Sequence, residues 1–414
     1  MIPFSPHYSM SSVPRLVVIG AGFAGMWAAL SAARKRDSAG KPDQSVEIIL
    51  VAPEPTLFIR PRFYETHFHD AKAPLQQVFD AAGVRYVQGT VVNITAGTQS
   101  LQSISSTGEV TTLAYDRLVL ASGSKLYRPQ SVQGLAEFAF DADEMTTAYK
   151  LDAHLKSLAG MAFSVARNTV VVAGGGFTGV EIAAEMPRRL REILGQETPV
   201  RVILLEKGDR IDFMGDKPTP VVEEALKSLE VQVLTGQSVI SIDENGVTTS
   251  SGLHLESKTV IWTAGMRASD LTTQLSSERD SLGRLLVTQE LQLPGSDAIF
   301  VAGDTANVAA DDEGHVVLMS CQHAMNLGKT AGNNAMADLL NLPRISYSQP
   351  VYGTCLSLGP WGALFTMGWE REVEMVKEAG YEMKTQINTQ LIYPPPPIRA
   401  KIFEEANPSL QVIA

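Results

Sequence analysis

The chain has almost no cysteine. Cys321 and Cys355 are the only two, they stand far apart, and neither belongs to a CxxC, a CxxxxC or a zinc-type spacing. That pattern excludes a disulfide framework and a CxxC redox centre, gives no metal ligand set, and points to a reducing compartment. Basic residues are scarce as well. Lys and Arg number 34 against 45 Asp and Glu, a net charge of −11, with no basic cluster. Such a surface argues against nucleic acid and against anionic membranes as partners. No apolar run approaches the ~20 residues of a membrane span. Met1 to Ser12 has neither the basic start nor the apolar stretch of a secretory signal, so residues 1–13 read as a loose tail of a cytoplasmic protein. Low-complexity tracts are also missing. What remains is a 414-residue chain of 44% hydrophobic content, enough for two or three domains with cores of their own.

The most informative stretch is Leu16 to Gly25. An apolar strand runs straight into Gly20-Ala21-Gly22-Phe23-Ala24-Gly25 and then into an Ala-rich helix. In this strand–turn–helix setting Gly20 serves the tight turn. Gly22 lets a pyrophosphate approach the backbone, and Gly25 lets helix and strand pack closely. The helix N-terminus faces the phosphates. Val46 to Val51 completes the βαβ unit. That strand should end in an acid for the ribose, but Ala52 stands there; Glu54 is either its substitute or a solvated loop acid.

Pro53 to Tyr64 reads as an ordered loop. Short strands follow near Arg85 to Gln88 and Thr90 to Ile94, and Asp116 to Ala121 is a strand ending at Ser122-Gly123. Ala142 to Ala159 reads as a helix. Then the opening pattern recurs: Thr169 to Ala173 leads into Gly174-Gly175-Gly176-Phe177-Thr178-Gly179 and a helix from Val180 to Ile193. Two dinucleotide loops in one chain are far more specific than one. Here the ribose acid is present. Glu206 follows the strand Val200 to Leu205, where a carboxylate accepts from both ribose hydroxyls of NADH and repels the 2′-phosphate of NADPH. Further on come several short strands, a turn at Gly265, a strand reaching Gly303-Asp304, and a long helix from Gln322 to Leu340. The segment Tyr352 to Trp369 looks like strands, Glu370 to Lys377 like a short charged helix, and Tyr393 to Pro397 like a stiff connector.

With both glycine loops and the GD turn in place, residues 14 to 366 resemble the two-dinucleotide flavoproteins of the pyridine nucleotide-disulfide type. Within them the chain is most similar to type II NADH dehydrogenases and related NADH:quinone reductases. The resemblance implies an α/β fold of two Rossmann-like three-layer domains, one for FAD and one for NADH, plus a small C-terminal α+β segment. It implies an interrupted FAD-binding domain, 14–140 and 289–345, around an NADH-binding domain, 141–288, with a C-terminal domain at 346–414. It assigns Gly20, Gly22, Phe23, Ala24, Gly25, Glu54, Val91, Ser122, Gly123, Asp304, Gln322 and His323 to non-covalent FAD, with Asp304 on the ribityl chain. It assigns Gly174, Gly176, Phe177, Thr178, Gly179, Glu181, Glu206 and Gly265 to NADH. Glu181, His323 and Asn326 are the residues expected at the reacting centre. Glu181 reads either as a nicotinamide contact or as an acid favoured by the helix dipole. His323 reads as a proton source for the acceptor or as a satisfied histidine at a helix start.

The departures are as informative. The relatives' glutamine pair beside the quinone is Asn326-Leu327 here, although Gln322 is kept. Ile398 to Ala406 is too short and too mixed in charge for an amphipathic membrane anchor, so membrane contact is at most peripheral. The expected partner is a small diffusible electron acceptor, a quinone first of all; a homodimer is left open. The rival readings are a thiol or sulfide oxidoreductase using Cys355, a reductase for a ferredoxin-like protein, and a non-enzymatic NADH sensor.

Overall fold

A computed structural model describes residues 13–412; the expected tail at 1–12 lies outside them. The first unit is a five-stranded parallel sheet in the order 299–301, 117–120, 15–19, 47–52, 85–88. Ile19 pairs with Val51 on one side and Leu120 on the other. Leu16, Val17, Val18 and Leu118 to Leu120 have no exposed surface, as expected for strands covered on both faces. The strand order reverses around 15–19, so the crevice at its C-terminal end is the natural ligand site of the sheet. The last strand of this sheet comes from the far side of the chain, Ile299–Val301.

The second unit repeats the plan, in the order 139–140, 259–262, 169–173, 201–205, 231–234. Its central strand, Thr169–Ala173, again lies at the reversal, flanked by Arg201–Leu205 and Thr259–Trp262. Two connectors pair antiparallel between the units, Ser124–Leu126 with Met266–Ala268.

Helices α1 (Phe23–Ser38) and α2 (Phe177–Leu194) follow the two loops. Helix α3 (Cys321–Leu339) lies across α1 in unusually close contact. A Cβ on Gly328 would stand 2.2 Å from the Ala24 carbonyl oxygen, and one on Gly332 would stand 1.9 Å from that of Ala28. Small residues at i and i+4 let the two backbones touch, which brings the start of α3 to the first glycine loop.

The C-terminal segment is a three-stranded antiparallel sheet, 353–357, 363–367 and 372–376, covered by α4 (Lys377–Gln386). The expected helix over Glu370 to Lys377 is instead a strand, Glu372–Val376, and the helix begins at Lys377. Val373 and Met375 alternate with Glu372 and Glu374, a period of two. The neighbouring strand is there to pair with them once Gly368 and Arg371 turn the chain with φ of 75° and 52°.

Candidate functional site

Both glycine loops show the geometry their spacing implies. Gly20 has φ of 105°, and a Cβ there would press on the Ala121 carbonyl at 2.4 Å. A Cβ on Gly25 would lie 2.0 Å from the Gly20 oxygen, and one on Gly179 would lie 1.8 Å from the Gly174 oxygen. Gly22 and Gly176 differ from these: each is exposed, and nothing lies within 4 Å of where a Cβ would stand. These two positions are open cradles at the N-termini of α1 and α2, the shape and the partial positive charge a diphosphate needs. Phe23 and Ala24 open α1; Phe177 and Thr178 open α2, with Phe177 edge-on to Phe213 at 4.8 Å.

The carboxylate of Glu206 is bent back onto its own loop. One oxygen accepts from the Gly175 amide at 2.8 Å and the other from the Gly208 amide at 2.7 Å. The acid is thereby placed beside the second cradle before any ligand arrives. Nothing comparable happens in the first unit. Ala52 is buried and its carbonyl accepts from the Tyr86 hydroxyl, whereas Glu54 is exposed and makes no hydrogen bond among the described residues. Val91 has its side chain in the apolar cluster under the first sheet with Leu118 and Leu120.

Beyond the first cradle, polar groups gather around the start of α3. Asp304 accepts a 2.6 Å hydrogen bond from Ser124, and burial raises its carboxyl above the usual range against the pull of Ser124 and Arg60. Gly123 and Gly265 take φ of 69° and 86° where the two strand ends turn into the connectors. The Ser122 hydroxyl and the Gln322 amide nitrogen are buried with no hydrogen-bond partner among the described residues. Buried donors left unpaired are rare and costly, so they mark where a polar ligand belongs. Together with the cradle at Gly22 they fit FAD.

His323 is fully buried. Ser320 caps α3 by accepting the His323 amide, and its hydroxyl also meets His323 Nδ1 at 2.9 Å. His323 Nε2 has no hydrogen-bond partner among the described residues; it carries the imidazole proton when the Ser320 hydroxyl donates to Nδ1. Burial, with Arg284 nearby, lowers the His323 pKa to about 3. The ring is therefore neutral, not an imidazolium acid. Its ring packs against Tyr352 at 4.7 Å and Trp369 at 5.7 Å, and Trp369 stacks on His315 at 4.6 Å.

Asn326 faces something the sequence did not announce. Its amide nitrogen donates to Gln349 and to the Val412 carbonyl, and its oxygen accepts from the Val412 amide at 3.0 Å. Glu181 is equally engaged. Its Oε1 accepts from Lys384 Nζ at 2.8 Å and from the Ser357 amide at 3.0 Å, while Oε2 takes no hydrogen bond among the described residues. Lys384 also donates to the Cys355 carbonyl. Burial opposes its charge, but Glu181, Tyr64 and Cys355 outweigh that and hold it above the ordinary lysine range. Lys384, Tyr64 and Ser124 are polar neighbours of the site that pattern reading missed. No motif spacing links Lys384 to Glu181 across the chain, so this lysine carried no signal.

Cys355 lies against the Gly380 carbonyl at 3.9 Å, and burial pushes its thiol up to about 11. Cys321 is likewise raised by burial. Neither is a thiolate at neutral pH. No group of three or more His, Cys, Asp or Glu among the described residues could hold a metal, and no described helix is long and apolar enough to cross a membrane.

The chain is 43% identical over 401 residues to an NADH dehydrogenase-like protein of Mycobacterium tuberculosis, covering 96% of this chain and 99% of that one. It is 24% identical over 397 residues to a type II NADH:quinone oxidoreductase of Staphylococcus saprophyticus, 92% of this chain and 95% of the other. Its fold matches NDH2 of Plasmodium falciparum, solved in complex with NADH, with a TM-score of 0.75 at 14% identity, over 95% and 97% of the two chains. The profile described as pyridine nucleotide-disulphide oxidoreductase matches residues 14–328. This chain is an oxidoreductase whose two cradles fit FAD and NADH, and it belongs to the pyridine nucleotide-disulphide oxidoreductase family.

Proposed function

We propose that this enzyme is an NADH:quinone oxidoreductase of the cytoplasm, converting NADH, a proton and a small diffusible quinone into NAD⁺ and the quinol. The observation that carries the acceptor half is the buried Nε2 of His323, without a partner among the described residues and set in a wall of Tyr352 and Trp369 at the start of α3. A flat apolar ring suits the aromatic wall, and a neutral N–H suits a carbonyl oxygen. FAD, when bound, supplies two-electron acceptance from NADH and delivery to the acceptor.

The chain's own residues do the positioning. Gly20, Gly22, Phe23, Ala24 and Gly25 would hold the FAD diphosphate, Asp304 the ribityl chain, and Ser122, Gly123 and Gln322 the inner end. The N-terminus of α3 favours negative charge beside it. Gly174, Gly176, Phe177, Thr178 and Gly179 would take the NADH diphosphate, with Glu206 on the ribose and Gly265 at the strand turn. Glu181 keeps Oε2 free to accept from the nicotinamide carboxamide, while Lys384 and the Ser357 amide immobilise Oε1. Asn326 belongs to the acceptor side through the main chain it holds. The raised thiol of Cys355 disfavours a thiol or sulfide route, and the acidic balance disfavours an acidic ferredoxin-like partner.

Stopped-flow separation of the half-reactions tests this. NADH should reduce the flavin much faster than NADPH does, and small quinones should reoxidise it with weak discrimination by head group. His323→Ala should slow reoxidation and leave reduction by NADH nearly unchanged. Slowed reduction instead would put His323 on the nicotinamide side.

A further inference from the structure

One face of α3 carries Gln322, Asn326, Lys329 and Asn333, at i, i+4, i+7 and i+11, and all four are at most 4% exposed. That spacing makes a single stripe along the helix. A polar stripe of this kind needs a cover with polar atoms of its own. Gln322 meets the Gly353 amide and Asn333 meets Asn334; over Asn326 and Lys329 the cover is the C-terminal tail, which runs antiparallel to α3. The Leu410 carbonyl accepts from Lys329 Nζ at 2.9 Å, and the Val412 peptide makes two hydrogen bonds with the Asn326 amide. Gln411 donates to the Ser348 carbonyl on the opposite side. The tail is thus wedged between α3 and the 347–349 segment and heads toward the turn that holds Gln322 and His323. Gln322 Nε2 and Gln349 Nε2, both buried, have no partner among the described residues.

The tail is attached lightly. Leu410 is 51% exposed, and of residues 407–412 Val412 is the one hydrophobic side chain that packs on the main core. Its hold is a few side-chain-to-backbone hydrogen bonds, each of modest net worth because water replaces it on release.

We propose that the tail, residues 407–412, is a specificity-determining strap: it covers the polar face of α3 beside the acceptor wall and limits the size of the oxidant that reaches that wall. The inference rests on the acceptor side assigned above. Asn326 takes the place of a relative's glutamine and spends its amide on the strap, so the wall admits compact rings and turns away those that carry a long side chain. Release of the strap leaves Asn326, Lys329 and Gln349 open to a longer acceptor.

The test uses the flavin-loaded full chain, the same protein ending at Ala406, and the full-length Val412→Pro variant, which lacks the N–H given to Asn326. Each is reduced with NADH and mixed with p-benzoquinone, with a decyl-substituted benzoquinone, or with dichlorophenolindophenol. Removing the strap should raise the reoxidation rate constant about tenfold or more with the decyl quinone and leave p-benzoquinone within about twofold. Val412→Pro should move the same ratio in the same direction by less, and it carries the test if the shortened chain does not fold. An unchanged ratio, or an equal change for both quinones, overturns the strap. If neither quinone reoxidises the flavin in any of the three proteins, the quinone reading falls. The strap is then judged on the dye alone, upheld by faster reoxidation of the shortened chain and overturned by an equal rate.

Discussion

In the first unit the strand after the glycine loop ends at buried Ala52, with Glu54 out in solvent; in the second it ends at Glu206, whose two oxygens take the amides of Gly175 and Gly208. The loops themselves are nearly superimposable in logic, with an open cradle at Gly22 and at Gly176. The grips differ because the tasks differ. On the reading proposed above, a nucleotide that leaves each turnover would be chosen by the one pre-placed carboxylate of Glu206. A cofactor that stays would be held by distant parts of the chain: Asp304 with its Ser124 partner, Gln322, and α3 pressed on α1. The same supersecondary unit becomes a selective site or a retaining one according to what the rest of the fold lays over it.

The largest effect should come from filling a cradle. Gly22→Val should abolish flavin retention and with it nearly all turnover, seen as loss of absorbance near 450 nm. The thermal midpoint should fall because bound ligand no longer stabilises the native state. Gly176→Val should leave the flavin in place and raise the KM for NADH. Purification of Gly22→Val with full flavin would break the comparison outright.

Next in size is Lys384→Met. It leaves the Glu181 carboxylate buried with one amide donor and no cation, at a cost of about 3–5 kcal/mol in unfolding free energy by denaturant titration. Lys384→Met combined with Glu181→Gln should recover a large part of that loss. Equal destabilisation by the single and double variants would show that the pair is not coupled.

Burial of neutral His323 ties stability to pH. Its folded pKa is lowered to about 3 from the unfolded 6.5, so below pH 6.5 the unfolded chain binds a proton that the folded chain refuses. Stability present above pH 6.5 is lost as pH falls toward 3, by about 2 kcal/mol between pH 6.5 and 5. His323→Gln should flatten that slope. An unchanged slope would assign the acid sensitivity to other groups.

The smallest of the four is Glu206→Gln. Removing the charge that faces the 2′-phosphate should narrow the NADH-over-NADPH preference by about 1–2 kcal/mol in kcat/KM. Wild-type protein that uses both nucleotides equally would end the claim.

The stretches legible beforehand were those in which every requirement is local. Leu16 to Gly25 and Thr169 to Gly179 spell strand, turn and helix within about ten residues, and Glu206 follows at the end of the next strand. Glu372–Val376 was misread because its alternation is short and charged, and only its partner, Ala363–Met367, makes it a strand. Asn326 was legible as a departure from a familiar pair but not as the holder of Val412. Lys384 was not legible at all. Its meaning lies in Glu181, which a different helix brings within 2.8 Å.

By itself the sequence determined two dinucleotide cradles, their order and the acid that stands beside the second, since glycine turns, helix N-termini and strand ends are set by neighbours along the chain. Tertiary structure alone decided what closes over those cradles. Close packing of α3 on α1, the buried Glu181–Lys384 pair and the 410–412 segment along α3 join residues far apart in the chain. Such contacts exist only once apolar burial has driven distant segments together and left their polar atoms to pair with whatever they meet.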